Sequence, residues 1–409
     1  MRAREDTGGE DNIGDKRIIT WPWLTLPPAP PFSRPDMFGD SFCNVFKKLQ
    51  DETRPHSFAH TDKIMREAFG DDWQDTIVID GDSKVLGSGC IGQVYKARMK
   101  GTGQVVAVKI LHPNIESGID ADIDILRFLA RSINVCLPRA KWLNFPGMVE
   151  EFNGLLSDQL DLRNEASNLE IFRENFKDDV TIVFPELMLP AKKHVIVEEF
   201  IDGDHLNEFL RKNGDNVELR KKLCDNGIRT ICKMIFEHNF MHGDIHPGNL
   251  LFTKVENGIE PRMVLLDTGI AKQFTKRDHE MLVGVLKSFI QGSGAEAAQW
   301  LINDSLEKQD IPPLNVERFV KVLDDMCEKS KRDTSFFDQI GNYVSIICNA
   351  AADHQIMMNQ GFVSIALTVR VMEGVALALN ANAEIWRIAN GIILKAKAKS
   401  YIGKNIWDK

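Results

Sequence analysis

Between Lys84 and Leu111 the chain carries two β-branched segments, KVLGSGCIGQVYKARMK and QVVAVKIL, in which polar and apolar residues alternate. A period of two is the pattern of strands with one buried face. The GTG at Gly101–Gly103 supplies turn residues for the link. The pair therefore predicts an antiparallel hairpin whose mouth, GSGCIGQV, is rich in small residues. Such a mouth lets backbone N–H groups approach an anionic ligand closely. Taken alone it is a weak signal, since most glycine-rich turns are only turns.

The remaining pattern is mixed. Helical spacing runs from about Ile115 to Phe176, and DVTIVFPEL and HVIVEEF then return as short strands. One antiparallel sheet with a helical insertion accounts for that order. Beyond Gly203 the chain becomes mainly helical, and VELRKKLCDNGIRTICKMIFEHNF puts Ile228, Ile231 and Ile235 on one face. NLLFTKV and RMVLLDTG form a second small strand pair, and Lys276 to Ala396 reads as helix after helix. The expected fold class is α+β and bilobal. Its boundaries are a flexible segment at 1–35, a helical N-terminal extension at 36–83, a strand-rich lobe at 84–200 and a helical lobe at 201–409. Within the extension, DSFCNVFKKLQDE and TDKIMREAFGDDW each have helical spacing.

Composition excludes several alternatives. A net charge of -9 over 409 residues leaves no basic surface for nucleic acid. Seven scattered cysteines without a C-x-x-C pair suggest neither a disulfide framework nor a zinc knuckle. The stretch His354–Val369 is too short and too polar for a bilayer span, so no transmembrane helix is expected. Peripheral membrane contact stays open. The first residues mix acid and base before any apolar run, and no targeting signal is visible.

Several residues form one ordered constellation. Gly87, Ser88, Gly89, Cys90, Ile91, Gly92, Gln93 and Val94 are the candidate phosphate cradle, and Lys109 follows at strand spacing in VAVKIL. A lysine enclosed by Val106, Val108, Ile110 and Leu111 needs a counter-charge once buried. Glu165 in NEAS offers one; Asp158, Asp161 and Glu170 are rivals, and spacing does not choose among them. Glu198, Glu199 and Phe200 end the strand before the helical lobe, where backbone groups suit an adenine edge. In HGDIHPGN, Asp244 and Asn249 stand at the D-x-x-x-x-N spacing of a phosphotransfer loop. Asp244 suits a hydroxyl proton acceptor, and Asn249 with Asp267 of LLDTG offers hard oxygen ligands for Mg²⁺. A metal hydrolase built on His242 and His246 lacks further paired histidines, so His242 is expected to brace the loop and His246 to line the phosphate side, with a purely structural role the alternative for either.

These motifs, with LDLRNEASN, FMHGDIHPGNLLF and LLDTGIAKQF, resemble the UbiB or aarF-domain atypical kinases from roughly Pro35 onward. RPDMFGDSFCNVFKKLQ and EAFGDDW are similar to the branch called aarF-domain-containing kinase two. The resemblance implies a protein-kinase-like fold with a small antiparallel N-lobe, a helical insertion and a helical C-lobe. It also implies a Lys109–Glu165 pair, Asp244 as catalytic acid/base, Asn249 and Asp267 on the metal, and ATP or ADP with Mg²⁺ as cofactors. A mitochondrial setting and ubiquinone biosynthesis are implied in the same way. The chain departs from the pattern twice. Its loop is glycine-rich where the family is alanine-rich, which bears on ATP against ADP preference. WPWLTLPPAPPF stands where the K-x-G-Q signature is expected, which leaves open a truncated or a mispredicted chain.

The substrate is also constrained. Ordinary protein kinases carry a long activation segment, whereas IAKQFTKRDHEMLVGVLKSF turns almost at once into a helix. A small molecule, lipid or quinone precursor is favoured as acceptor, in the manner of aminoglycoside and choline kinases. A soluble small-molecule kinase and a nucleotide-gated scaffold that transfers no phosphate remain the alternatives.

Overall fold

A computed structural model of the protein describes residues 55–79, 85–89, 91–136, 145–243, 245–254, 260–308, 313–332 and 340–359, with isolated positions beyond. The helix expected at Asp40–Gln50, Cys90 and Asp244 lie outside the described residues.

Alternation along β4 (Val105–Leu111) organises the first lobe. Val106, Val108 and Ile110 are fully buried on one face, while Ala107 and Lys109 on the other are partly exposed. β4 is central in an antiparallel sheet ordered β1 (Ile77–Val78), β3 (Gly92–Met99), β4 and β6 (Val195–Glu199), with β2 (Val85–Ser88) also on β3. Register sets Lys109 opposite Val94 on one side and Ile196 on the other.

The apolar face is covered by α1 (Phe58–Phe69), within the second helix expected in the extension. Its Ile64 and Met65 pack with Trp73, Tyr95, Val106, Val108 and Val197. Trp73 Nε1 donates to Asp62 Oδ1 at 3.0 Å, which ties the turn after α1 back to the helix. On the opposite face comes the helical insertion, α2 (Ile115–Cys136), α3 (Phe145–Gln159) and α4 (Leu162–Asn175). α2 and α3 meet through Ile119, Ile123 and Leu156. α4, whose first turn is capped by Asp161 accepting from the Arg163 N–H, lays Leu162 and Ala166 against Leu111 and Ile196. That contact brings the Glu165 helix to the Lys109 strand.

The second lobe has its own sheet, ordered β5 (Ile182–Val183), β10 (Met263–Leu265), β9 (Leu250–Thr253) and β7 (Gly203–His205). Here one expectation is corrected. DVTIVFPEL does not extend the front sheet, because β5 pairs parallel with β10, Ile182 opposite Met263. Burial explains the choice: Ile182 and Phe184 belong to the large core with Phe172, Phe240 and Phe252. Only the continuation at Leu187 bridges to Glu198 of the front sheet.

α5 (Leu206–Asn213) and α6 (Val217–Lys233) follow, and Ile228, Ile231 and Ile235 are all buried as their spacing requires. The turn after α6 ends at Asn239 in the left-handed region, φ 47°. It releases the chain into β8 (Met241–His242), which pairs with β11 (Ala271–Lys272). α7 (Lys276–Ile290), α8 (Gly294–Lys308), α9 (Val316–Arg332) and α10 (Ile340–Asp353) complete the described C-lobe. The fold is kinase-like, an antiparallel N-lobe sheet above a helical C-lobe. Cys136, Cys224, Cys232, Cys327 and Cys348 are free thiols. Among the described residues no helix is long and apolar enough to cross a membrane.

Trp73 is 1% exposed and joins α1 to the sheet. Trp73→Ala should therefore destabilise the protein by about 3–5 kcal/mol, read from urea denaturation. A loss under about 1 kcal/mol would mean that α1 is no integral part of this lobe.

Candidate active site

The cleft face of β4 presents one ammonium to carboxylates from both lobes. Lys109 Nζ donates to Glu165 Oε1 and Oε2, each at 2.9 Å, and to Asp267 Oδ2, also at 2.9 Å. Of the four acids that spacing left open on the helix, the structure selects Glu165. Asp161 instead caps α4 and binds Arg163.

The charges around Lys109 are unequal. Burial opposes its ammonium, but Asp267 and Glu165 outweigh that and hold its pKa well above the ordinary lysine range. Burial opposes the Asp267 carboxylate too, yet Lys109 and the Gly269 N–H hold it down to about 2. Glu165, its side chain only 3% exposed, goes the other way: burial pushes it up to about 8 against the pull of Lys109. Glu198, half-buried on β6, is pushed by burial up to about 7. Three carboxyls around one ammonium leave excess negative charge, so a deeply buried acid takes up a proton before Asp267 does.

The turn carrying Asp267 is fixed from two sides. Asp267 has φ 49°, a left-handed conformation that aspartate tolerates because its side chain bonds locally. Here Oδ1 accepts from the Gly269 N–H at 3.2 Å, leaving Oδ2 for Lys109. The Thr268 hydroxyl donates to the Glu165 carbonyl at 3.1 Å, and Asn168 Nδ2 donates to the Thr268 carbonyl at 2.9 Å. Thr268 and Asn168 thus brace the candidate site, a role the sequence did not announce, although Glu165 and Asn168 stand at i, i+3 within the conspicuous NEASN run.

Asn249 is delivered by the β9–β10 hairpin. Leu250 pairs with Leu265, and the Leu266 N–H donates to the Asn249 carbonyl at 2.9 Å, so Asn249 and Asp267 flank the same strand end. An amide oxygen beside a carboxylate is the donor set a small hard cation takes, so these two residues could hold Mg²⁺. His242 is buried with Nε2 at 3.3 Å from the Leu266 carbonyl. His246 Nδ1 accepts from the Gly248 N–H at 3.1 Å. His242 thus bonds the loop as expected, while His246, expected on the phosphate side, accepts from the Gly248 backbone. Among the described residues no group of three His, Cys, Asp or Glu side chains could hold a metal ion.

The glycine-rich mouth divides into two kinds of position. A Cβ on Gly92 would meet the Ile110 carbonyl oxygen at 2.5 Å, so only glycine fits there. One on Gly87 meets nothing within 4 Å, and one on Gly89 only the Gly92 carbonyl at 3.9 Å. Val94 lies opposite Lys109 in the sheet. Gln93, expected in the cradle, is wholly buried with its side chain on His56 and Tyr95, on the α1 side. Strand alternation sends it away from the cleft. At the strand end, the Glu199 N–H already donates to the Glu186 carbonyl at 2.7 Å. The Phe200 ring lies under Lys96 Nζ, 4.2 Å from the centroid. The contribution of Glu198 to the site is thus a carboxyl near Lys109, its backbone being paired with Ala107 in the sheet.

Comparison with known proteins agrees with this arrangement. Residues 48–301 match the ABC1 atypical kinase-like domain. The chain is 26% identical to the ABC1 family protein YPL109C, mitochondrial, of Saccharomyces cerevisiae, over 90% of this chain and 66% of that one. It is 29% identical to the probable protein kinase UbiB of Aliivibrio fischeri, again over 90% of this chain and 66% of that one. The probable serine/threonine-protein kinase abkC of Dictyostelium discoideum is 24% identical, over 90% of this chain and 62% of its own length. The chain thus spans just under two thirds of these relatives. The structure of the Rv3197–erythromycin complex from Mycobacterium tuberculosis matches with a TM-score of 0.53 and 20% identity, over 88% of each chain. With the lysine, its helix glutamate and the strand-end aspartate closed into one cluster, and with most of the chain covered by the domain, this protein belongs to the ABC1/UbiB atypical kinase family.

Proposed function

We propose that the chain binds a magnesium nucleotide in the cleft under the glycine-rich mouth and catalyses phosphotransfer to a small molecule or lipid, or ATP hydrolysis. The Lys109–Glu165–Asp267 cluster carries this reading. A lysine held charged by both lobes is poised to neutralise phosphate oxygens, and phosphoryl transfer depends mainly on positioning and charge. Asn249 and Asp267 would hold magnesium, which would supply charge neutralisation at the phosphates. Asp244, from its place in HGDIHPGN, orients the acceptor hydroxyl or a water and takes its proton. Room for a methyl at Gly87 and Gly89 means that glycine there is no steric demand of the apo fold. We read it as tuning the choice between ATP and ADP.

The substrate reading rests on the segment after Asp267. β11 is already at Ala271–Lys272 and α7 begins at Lys276 with Thr275 as its cap, which leaves little chain for a peptide platform. A quinone precursor or a lipid is the acceptor we infer, with a mitochondrial setting by analogy to relatives whose names carry that address. The assignment to the aarF-domain-containing kinase two branch belongs to the same reading.

Asp244→Asn should lower turnover by about 10²–10⁴-fold while nucleotide affinity holds, measured by phosphate release and by calorimetry. Unchanged turnover would sink the phosphotransfer role. Asp267→Ala should abolish phosphate release measured with quinone precursors and anionic liposomes. A wild type that binds nucleotide but releases no phosphate under any of these conditions would establish the scaffold reading instead. Lys109→Met should abolish nucleotide binding and destabilise the protein by about 3 kcal/mol, because the buried Glu165 and the half-exposed Asp267 both lose their counter-charge. The folded pKa of Asp267 then rises above its unfolded value, where that of Glu165 already stands. The variant should consequently gain stability, relative to wild type, as pH falls from 8 towards 5 in urea melts. The opposite slope would refute the charge assignment.

A further inference from the structure

Behind the glycine-rich mouth, on the side away from Lys109, a chain of polar contacts runs from the segment before α1 to the mouth itself. His112, which follows β4, places Nε2 3.0 Å from the Gly89 carbonyl oxygen and 3.5 Å from Ser88 Oγ. Its Nδ1 lies 2.8 Å from His56 Nδ1. His56 Nε2 is 3.1 Å from Thr61 Oγ1, which is 2.7 Å from the Tyr95 hydroxyl. Gln93 Nε2 donates to that hydroxyl and, at 3.3 Å, to the His56 carbonyl; its Oε1 accepts from the His56 N–H at 2.8 Å. Thr61 and Gln93 are wholly buried and Tyr95 is 3% exposed.

The direction of this chain follows from donor chemistry. A carbonyl oxygen only accepts, so His112 Nε2 carries a proton and donates it to Gly89. In a neutral His112 the other nitrogen then accepts, which puts a proton on His56 Nδ1. His56 Nε2 accepts from the Thr61 hydroxyl, Thr61 accepts from Tyr95, and Tyr95 accepts from Gln93. Every partner is satisfied in one arrangement, as a buried network requires. Burial lowers the pKa of His112, and that of His56 to about 4, so both imidazoles are neutral near pH 7. Among the described residues the titratable groups that act on His56 are His112 and His60, and the one that acts on His112 is His60, whose ring centroid is 4.7 Å from that of His56.

Backbone bonds complete the clamp. The His112 N–H donates to the Ile91 carbonyl at 2.8 Å, and the Gly89 N–H donates to the Gly92 carbonyl at 3.0 Å. His60 Nε2, at 3.3 Å, donates to the Leu111 carbonyl. The mouth is therefore gripped at Gly89 and Ile91 by one residue, and that residue is oriented through a relay that starts on α1.

We propose that His112 is the positioning residue of the glycine-rich mouth, holding it in its phosphate-accepting shape through the Gly89 carbonyl, and that the relay Tyr95–Thr61–His56 sets the tautomer that lets it do so. The proposal rests on reading the mouth as a nucleotide loop. It makes His56 and Thr61, before and at the start of α1, determinants of nucleotide affinity that act through His112.

Three measurements test it. Nitrogen-15 NMR of the nucleotide-free wild type should find His112 protonated at Nε2 and His56 at Nδ1, and the opposite tautomer at His112 would overturn the proposal. Amide hydrogen exchange at residues 85–94 should quicken in His112→Ala and in the near-isosteric Thr61→Val, which cuts the relay at its far end. His112→Gln, which keeps a donor within reach of Gly89, should restore slow exchange, whereas His112→Asn, too short to reach it, should not. Affinity for Mg-ATP should fall about tenfold in the first two variants and recover in His112→Gln, the scale of one hydrogen bond. Exchange and affinity that stay at wild-type values in Thr61→Val would overturn the relay. The expected tautomers and exchange in a wild type that binds no Mg-ATP would uphold the relay and overturn the nucleotide reading instead.

Discussion

The ammonium of Lys109 holds the two halves of the site together. Glu165 stands on the helical insertion of the first lobe and Asp267 at a strand end of the second, and one nitrogen bonds both at 2.9 Å. The arrangement survives because each burial cost is offset by a partner. It also has a built-in asymmetry. Glu165 is almost fully enclosed, whereas the Asp267 side chain is 37% exposed and its pKa is held low. The outer carboxylate is thus the one that can exchange its partner, keeping its charge in solvent contact, while the inner pair stays closed.

Geometry around the cluster follows from that division. Thr268 and Asn168 stitch the aspartate turn to α4 by two hydrogen bonds that bypass Lys109 entirely. If Asp267 lets go of the lysine, its backbone is still tied to the helix that carries Glu165. A side chain in a left-handed turn, bonded to the Gly269 N–H, then changes partner without moving the strand behind it. The brace is local, and the exchange is confined to one carboxylate oxygen.

Much of this was legible before the structure. Alternation in VVAVKIL gave both the sheet and the face on which Lys109 stands, and Ile228, Ile231 and Ile235 announced the helix that leads into HGDIHPGN. Three features were not. The parallel pairing of Ile182–Val183 depends on which distant core takes Phe184, a tertiary matter that a two-residue strand cannot signal. The choice of Glu165 over its neighbours depends on helix rotation, fixed by Leu162 and Ala166 packing on Leu111 and Ile196. Gln93 was misplaced for a simpler reason: a motif was read as a unit although strand residues alternate between faces, and Gln93 shares the face of Tyr95.

That alternation has a wider consequence. β4 and its continuation carry two polar anchors on opposite sides of the same hairpin: Lys109 faces the cleft, and His112 holds the back of the mouth through Gly89. Between them Gly92 is pressed against the Ile110 carbonyl so closely that no side chain fits, which locks the two strands of the hairpin in register. A displacement of the mouth therefore pulls on His112, and through His56 and Thr61 on α1, before it can disturb Lys109. Among the described residues the lysine cluster and the histidine relay share β4 and its continuation but no hydrogen bond, so the charge in the cleft and the shape of the mouth are set independently. A helix that reaches the mouth through the relay can alter the grip on a ligand while leaving the charge arrangement of the cleft as it stands.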